Sequence, residues 1–215
     1  MRAQHFLALV ALVASSCGGG KNYLSAADLA AVANNRPDYE WACAQVNLPW
    51  KALAAVHYRE SGFLRRVKAL GGPFMLDCGG SRQDFATNIR TEERRVARLY
   101  CYPDPHGKVR DDFRFACLVA AHELLVKCRG EVYGWFWVNG NVVADAMWGY
   151  NGRTTMCTSW RKSAYVNNDP ANGRSLTVCW WNDENTMMWV RDTRPGAYII
   201  YRELCRRVRG GSIKP

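Results

Sequence analysis

Glu60 is the residue whose type and setting most directly suggest chemistry. It closes an apolar run containing Leu53, Val56 and His57, is followed by Ser61, Gly62 and Phe63, and lies ten residues or so before the turn Gly71-Gly72-Pro73-Phe74-Met75. A carboxyl group among apolar neighbours resists ionisation, because burial penalises its charged form. The C-terminal end of a helix adds an unfavourable dipole for a carboxylate. Such a group keeps its proton near neutral pH and can deliver it to a leaving oxygen, which is general-acid work. The competing reading makes Glu60 a solvated helix-end residue paired with Arg59, Arg65 or Arg66.

Three segments bear on the choice. Glu60-Ser-Gly-Phe63 comes first, Gly71-Gly-Pro-Phe74 second, and Ala146-Met-Trp-Gly-Tyr150-Asn151-Gly152-Arg153 third. In this order and spacing they resemble the signature of lysozyme-fold lytic transglycosylases (the SLT and goose-type-lysozyme-like group). Ser163-Ala-Tyr165-Val-Asn-Asn168-Asp169-Pro170 and Asp192-Thr-Arg-Pro-Gly196-Ala-Tyr198 extend the similarity, which spans about residues 45 to 208. The resemblance implies a peptidoglycan lytic transglycosylase cleaving the MurNAc–GlcNAc β-1,4 bond. Glu60 would act as both general acid and general base, giving 1,6-anhydro products without water. It further implies substrate contacts at Ser61, Phe74, Met75, Tyr150 and Asn151, with Tyr150 hydrogen-bonding near the acid and no cofactor. Met75 departs from the family pattern, which has Gln there.

Two other functions stay open. A muramidase would pair Glu60 with a loop carboxylate, Asp77 or Asp84, holding an attacking water; loop aspartates are also common turn formers. A non-catalytic wall-binding lipoprotein would keep the groove without the reaction. Basic charge and aromatic residues also suit nucleic acid, but an export leader argues against that partner.

Other motifs lead nowhere specific. His122-Glu123 matches the start of a zinc-protease helix, but Val126 stands where the second His is required. No two cysteines have C-x-x-C spacing, so no metal site is expected. His57, one turn before Glu60, either tunes the acid or packs in the core. Trp135, Phe136, Trp137, Trp148 and Tyr150 could stack on sugar rings or fill the interior.

The elements that must position Glu60 follow from local signals. Ser25-Ala-Ala-Asp28 reads as a capping box opening a helix, and a second helix is expected over 38–45. A third starts at Asn47-Leu-Pro49-Trp50, runs to Glu60 and ends at Gly62. Residues 71–88 read as a loop, and Thr91-Glu92-Glu93 as the cap of a basic helix reaching Tyr100. Phe113, Ala116, Cys117, Ala120, Ala121, Leu124, Leu125 and Cys128 keep a helical period, marking a core helix. A helix over about 141–150 follows. Residues 177–181 and 186–190 read as a β-hairpin with a four-residue loop, and 197–208 as a last amphipathic helix. The fold class is α+β, mainly α: a lysozyme-like helical domain with a small β-hairpin in its C-terminal half.

The chain has 215 residues, with 29 Lys and Arg against 19 Asp and Glu. The start, MRAQHFLALVALVASSC, has the layout of an export signal. Ala14-Ser-Ser-Cys17 resembles a bacterial lipoprotein cleavage site, although Ala14 stands where Leu is usual. The expected organisation is a signal peptide over 1–16, lipid on Cys17, a tether over 17–24, the domain over 25–210 and a tail over 211–215. The protein would be an exported monomer anchored by lipid and facing the periplasm or cell wall, or secreted. A formal charge of +10 concentrates polyanions such as envelope polymers near its surface. Beyond Cys17, eight cysteines form an even set allowing up to four disulfides, which would place the chain in an oxidising compartment.

Overall fold

The computed structural model describes residues 22–69, 71–76, 85–104, 107–129, 142–150, 163–181 and 187–208. Among these the chain is mainly helical, with one two-stranded antiparallel ribbon. Helix α1 (Ala26–Val46) begins at the expected capping box, Ser25 and Asp28 each accepting from the other's backbone N–H. It does not break before Asp38; Pro37 lies inside one continuous helix. Proline there removes a backbone hydrogen bond and costs about 3 kcal/mol. The stripe Val32, Asn35, Tyr39, Ala42, Cys43 and Val46 is buried on both sides of it, so tertiary packing holds the two halves in line.

Helix α2 (Trp50–Ser61) is the centre of the molecule. Leu53, Ala54, Ala55, Val56 and His57 are all fully buried, so no face of its middle meets water. It ends as expected at Gly62, whose left-handed backbone (φ 61°) directs its N–H to the Tyr58 carbonyl at 2.9 Å. The sequence then makes a 3-10 turn at Gly72–Phe74. Gly72 also has positive φ, and a Cβ there would lie 2.7 Å from the Val109 carbonyl oxygen, so only glycine lets the turn approach that closely.

Helix α3 (Phe85–Leu99) starts six residues before the expected cap. Thr91 does not cap it; its hydroxyl bonds back to the Thr87 carbonyl within the helix, and Glu93 is buried and accepts from the Val109 N–H. Helices α4 (Phe113–Arg129) and α5 (Val142–Tyr150) lie where expected, and Asp112 caps α4 through the Phe115 N–H. A short helix α6 (Ala164–Asn167) has no counterpart in the sequence reading. Strands β1 (Thr177–Trp181) and β2 (Met187–Arg191) pair with Thr177 opposite Arg191, one residue along from the expected second strand. Helix α7 (Ala197–Arg207) packs on α2.

One hydrophobic core runs from Leu24 to Leu204, centred on α2 and α4. Residues 23 and 24 therefore are not tether: Leu24 is buried, and the N–H groups of Tyr23 and Leu24 donate to Glu203 of α7. The expected cysteine pairing also needs correction. Cys43, Cys101, Cys117 and Cys205 are free thiols, two buried between helices and two exposed, so the set of eight cannot supply four disulfides. Nothing is described of the side chains of Cys78, Cys128, Cys157 and Cys179, or of residues 1–21, where the leader and Cys17 fall.

Candidate functional site

Glu60 sits in the last turn of α2, half-buried. Burial pushes its carboxyl from an ordinary value near 4.5 up to about 7, against the opposing pull of Arg59 and Arg194. The adjacent Arg59 does not neutralise it, because that guanidinium is itself buried and committed elsewhere. It forms a buried ion pair with Asp192, donates to the carbonyls of Arg194 (2.8 Å) and Pro195 (3.0 Å), and lies over the Tyr165 ring at 5.2 Å. Burial would raise Asp192, but Arg59 and the Arg194 N–H hold its carboxyl below the usual range. Arg65 is likewise engaged, with Asp38 and Asn35. Among the described residues no ion pair reaches Glu60, which removes the helix-end pairing as an explanation of it.

The wall carrying Asp192 is rigidly tied. Asn168 donates to the carbonyls of Asp192 and Arg194, accepts from the Leu176 N–H at 2.6 Å, and its own carbonyl takes the Gly196 N–H at 2.7 Å. The two downstream segments of the sequence, 163–170 and 192–198, thus meet around Arg59. Arg194 is half-exposed, with its guanidinium 3.5 Å from both the Asp192 carboxylate and the Arg59 carbonyl. It covers the negative end of α2 beside the acid.

The other motif segments converge on the same place. Tyr150, at the end of α5, donates its hydroxyl to the Phe74 carbonyl at 2.9 Å and stacks on Tyr165 with centroids 6.1 Å apart. Tyr165 therefore joins Arg59 on one side to Tyr150 on the other, and Tyr150 ties α5 to the Gly-Pro-Phe turn. That turn rests on α2 through Phe74, whose ring is 4.7 Å from His57.

No protein-family model, curated protein or solved structure matches this chain. What the site can do rests on its own geometry: a carboxyl raised by burial to about 7, with no ion-pair partner among the described residues, next to the buried Arg59 around which the segments 163–170 and 192–198 meet.

The expected site residues divide. Phe74 is wholly buried between His57 and Phe113, so its ring cannot touch a ligand; its part is structural. Met75 is exposed, held at φ 46° beside Phe74. Ser61 is half-buried with its hydroxyl turned to the His57 carbonyl at 3.4 Å. Asn151, Asp77 and Asp84 lie outside the described residues, as do Trp135, Phe136 and Trp137. Trp148 is buried and packs with Ala144 and Val166. His57 is a core histidine: Tyr39 Oη lies 2.6 Å from Nδ1 and the Leu64 carbonyl 2.9 Å from Nε2, and burial lowers its pKa to about 4. This pattern requires the neutral ring with its proton on Nε2. His122 is also buried, its ring nitrogens 2.8 Å from Tyr100 Oη and 2.7 Å from Arg95. Arg59, Asp192, Asn168, Tyr165 and Arg194 were not singled out as individual site residues by the sequence.

An acid raised by burial destabilises the fold once it ionises. Below about pH 4 Glu60 is protonated in both folded and unfolded chains and contributes nothing to pH dependence. As pH rises past its ordinary value the unfolded chain loses the proton first, so stability falls until pH passes about 7. The shift corresponds to about 3 kcal/mol. Glu60→Gln is therefore expected to match wild type in urea unfolding at pH 4 and to exceed it by up to about 3 kcal/mol at pH 8. Equal stability at both values would mean the acid is not held protonated.

Proposed function

We propose that the domain is lysozyme-like and acts as a peptidoglycan lytic transglycosylase, with Glu60 as its single acid and base. The supporting observation is the Glu60 carboxyl, raised to about 7 by burial while the neighbouring Arg59 is compensated by Asp192. Protonated Glu60 gives its proton to the bridging oxygen between MurNAc and GlcNAc as the C1–O bond breaks. The resulting carboxylate then takes the proton of the muramyl C6 hydroxyl as that oxygen closes on C1. Bond and proton counts balance without water, and the enzyme returns to its starting state.

A hydrolase of the usual two-carboxylate kind needs a second acid facing the first. Among the described residues the carboxylate brought to this end of α2 is Asp192, which is locked on Arg59 and not free to hold a water; the acids that a muramidase would use, Asp77 and Asp84, lie outside the described residues. A basic surface suits glycan strands bearing acidic peptides and anionic envelope polymers. We place the protein outside the cytoplasm, as a monomer held to the membrane by lipid on Cys17.

Mass analysis of soluble products from purified sacculi tests this. Muropeptides one water lighter than reducing-end products, absent with Glu60→Gln, are expected. Reducing ends would point to muramidase action, and sacculi bound but left intact by the wild type would point to a binding protein.

A further inference from the structure

A second polar site lies against the aromatic cluster of His57, Phe74 and Phe113. Arg65, Arg66, Asp111, Asp112, Phe113 and Arg114 line a surface pocket of about 390 Å³, within the size range of small-ligand sites. Its floor is Phe113, which stacks on Phe74 and lies 5.1 Å from the ring of His57. Arg65 comes five residues after Glu60, so their Cα atoms are at most about 18 Å apart along an extended chain.

The charges in this pocket are unequally committed. Arg65 is held over the Phe113 ring at 4.3 Å by its bonds to Asp38 and Asn35. Arg114 is held over Trp41 at 4.2 Å, an arrangement that fixes the plane of its guanidinium and, among the described residues, leaves its N–H donors unused. Arg66 is exposed and, among the described residues, has no acidic partner. Asp112 accepts from the Tyr102 hydroxyl and the Phe115 N–H, and Asp111 lies 3.5 Å from Arg110. Two guanidinium forks are thus left open beside two carboxylates, that of Asp112 held in place and that of Asp111 largely exposed. Guanidinium forks match carboxylates in a two-pronged geometry. The carboxylates beside them repel a bare polyanion but accept an ammonium group, so the combination fits a zwitterion.

We infer that this pocket binds the peptide stem carried by the glycan, taking a stem carboxylate on Arg66 and Arg114 and a stem ammonium against Asp111 and Asp112. This rests on the peptidoglycan reading for the identity of the peptide, but the site needs no catalysis. It would read the peptide while Glu60 acts on the sugar, making cleavage sensitive to the state of the stem.

The test is equilibrium binding of the full chain to a glycan-free probe, the tetrapeptide L-Ala–γ-D-Glu–meso-diaminopimelate–D-Ala, with inorganic phosphate in parallel. Wild type and Glu60→Gln should bind the peptide equally. Arg66→Ala, which removes no hydrogen bond or ion pair among the described residues, should weaken it about tenfold or more. Arg114→Lys, which keeps the charge but loses the fork, should weaken it as well. No peptide binding by wild type, binding indifferent to both substitutions, or phosphate bound with the same arginine dependence while the peptide is ignored would each overturn the inference. Failure of peptide binding together with anhydro products would leave the catalytic reading standing and remove this one alone.

Discussion

Glu60→Gln should reduce the rate of glycan cleavage about 10^2- to 10^4-fold, the range spanned by positioned acid–base groups, with substrate affinity nearly unchanged. The amide fills the same space at the end of α2 and removes no ion pair, since Arg59 and Arg65 already have partners. What it lacks is the proton. The wild-type rate should also fall above about pH 7, because the reaction begins from the protonated carboxyl and that proton is lost near this value. The residual rate of the amide variant should show no such limb. A variant retaining full rate with the same limb would place the acid elsewhere, whatever the pKa of Glu60.

The place of Glu60 at the end of a buried helix was legible because the signals that set it are local. The apolar spacing of α2, Pro49 at its start and Gly62 at its end lie within fourteen residues of one another, and each acts on its own backbone. Local signals of the same kind point the wrong way where tertiary packing overrides them. Pro37 and Asp38 look like a boundary, yet a buried stripe continues through them. Thr91 looks like a cap because hydroxyl residues commonly begin helices, but the same hydroxyl can bond back within a turn. Phe74 looked like a sugar contact, whereas its ring completes the packing of His57 and Phe113. Its carbonyl is the part that matters to the site, since Tyr150 binds it. No side-chain pattern announces a backbone acceptor.

The least legible feature is the partner of Arg59, 133 residues away. In sequence Arg59 is one more cation in a basic chain, a candidate counter-ion for Glu60. Its burial reverses that reading. A guanidinium beside a carboxyl would ordinarily hold it ionised, so a protonated Glu60 depends on the charge of Arg59 being cancelled by something else.

Asp192→Ala should therefore fail in two separable ways. It leaves the Arg59 guanidinium buried with no carboxylate, and breaking one side of a buried pair costs about 3–5 kcal/mol; urea unfolding should record a loss of that size. It also leaves Glu60 as the nearest carboxylate to an uncompensated cation, which favours the ionised form. In whatever fraction remains folded, the alkaline limb of the cleavage rate should move to lower pH, and activity at neutral pH should drop further than loss of folded protein explains. The paired change Arg59→Met with Asp192→Leu removes both charges together. It should regain most of the lost stability, because apolar replacement of a whole buried pair is often neutral or better, and it should move the limb above its wild-type position, since the largest force favouring ionised Glu60 is gone. A stability loss in Asp192→Ala with the limb unmoved would make this pair a structural brace with no influence on the acid, and the protonation of Glu60 would then depend on burial alone.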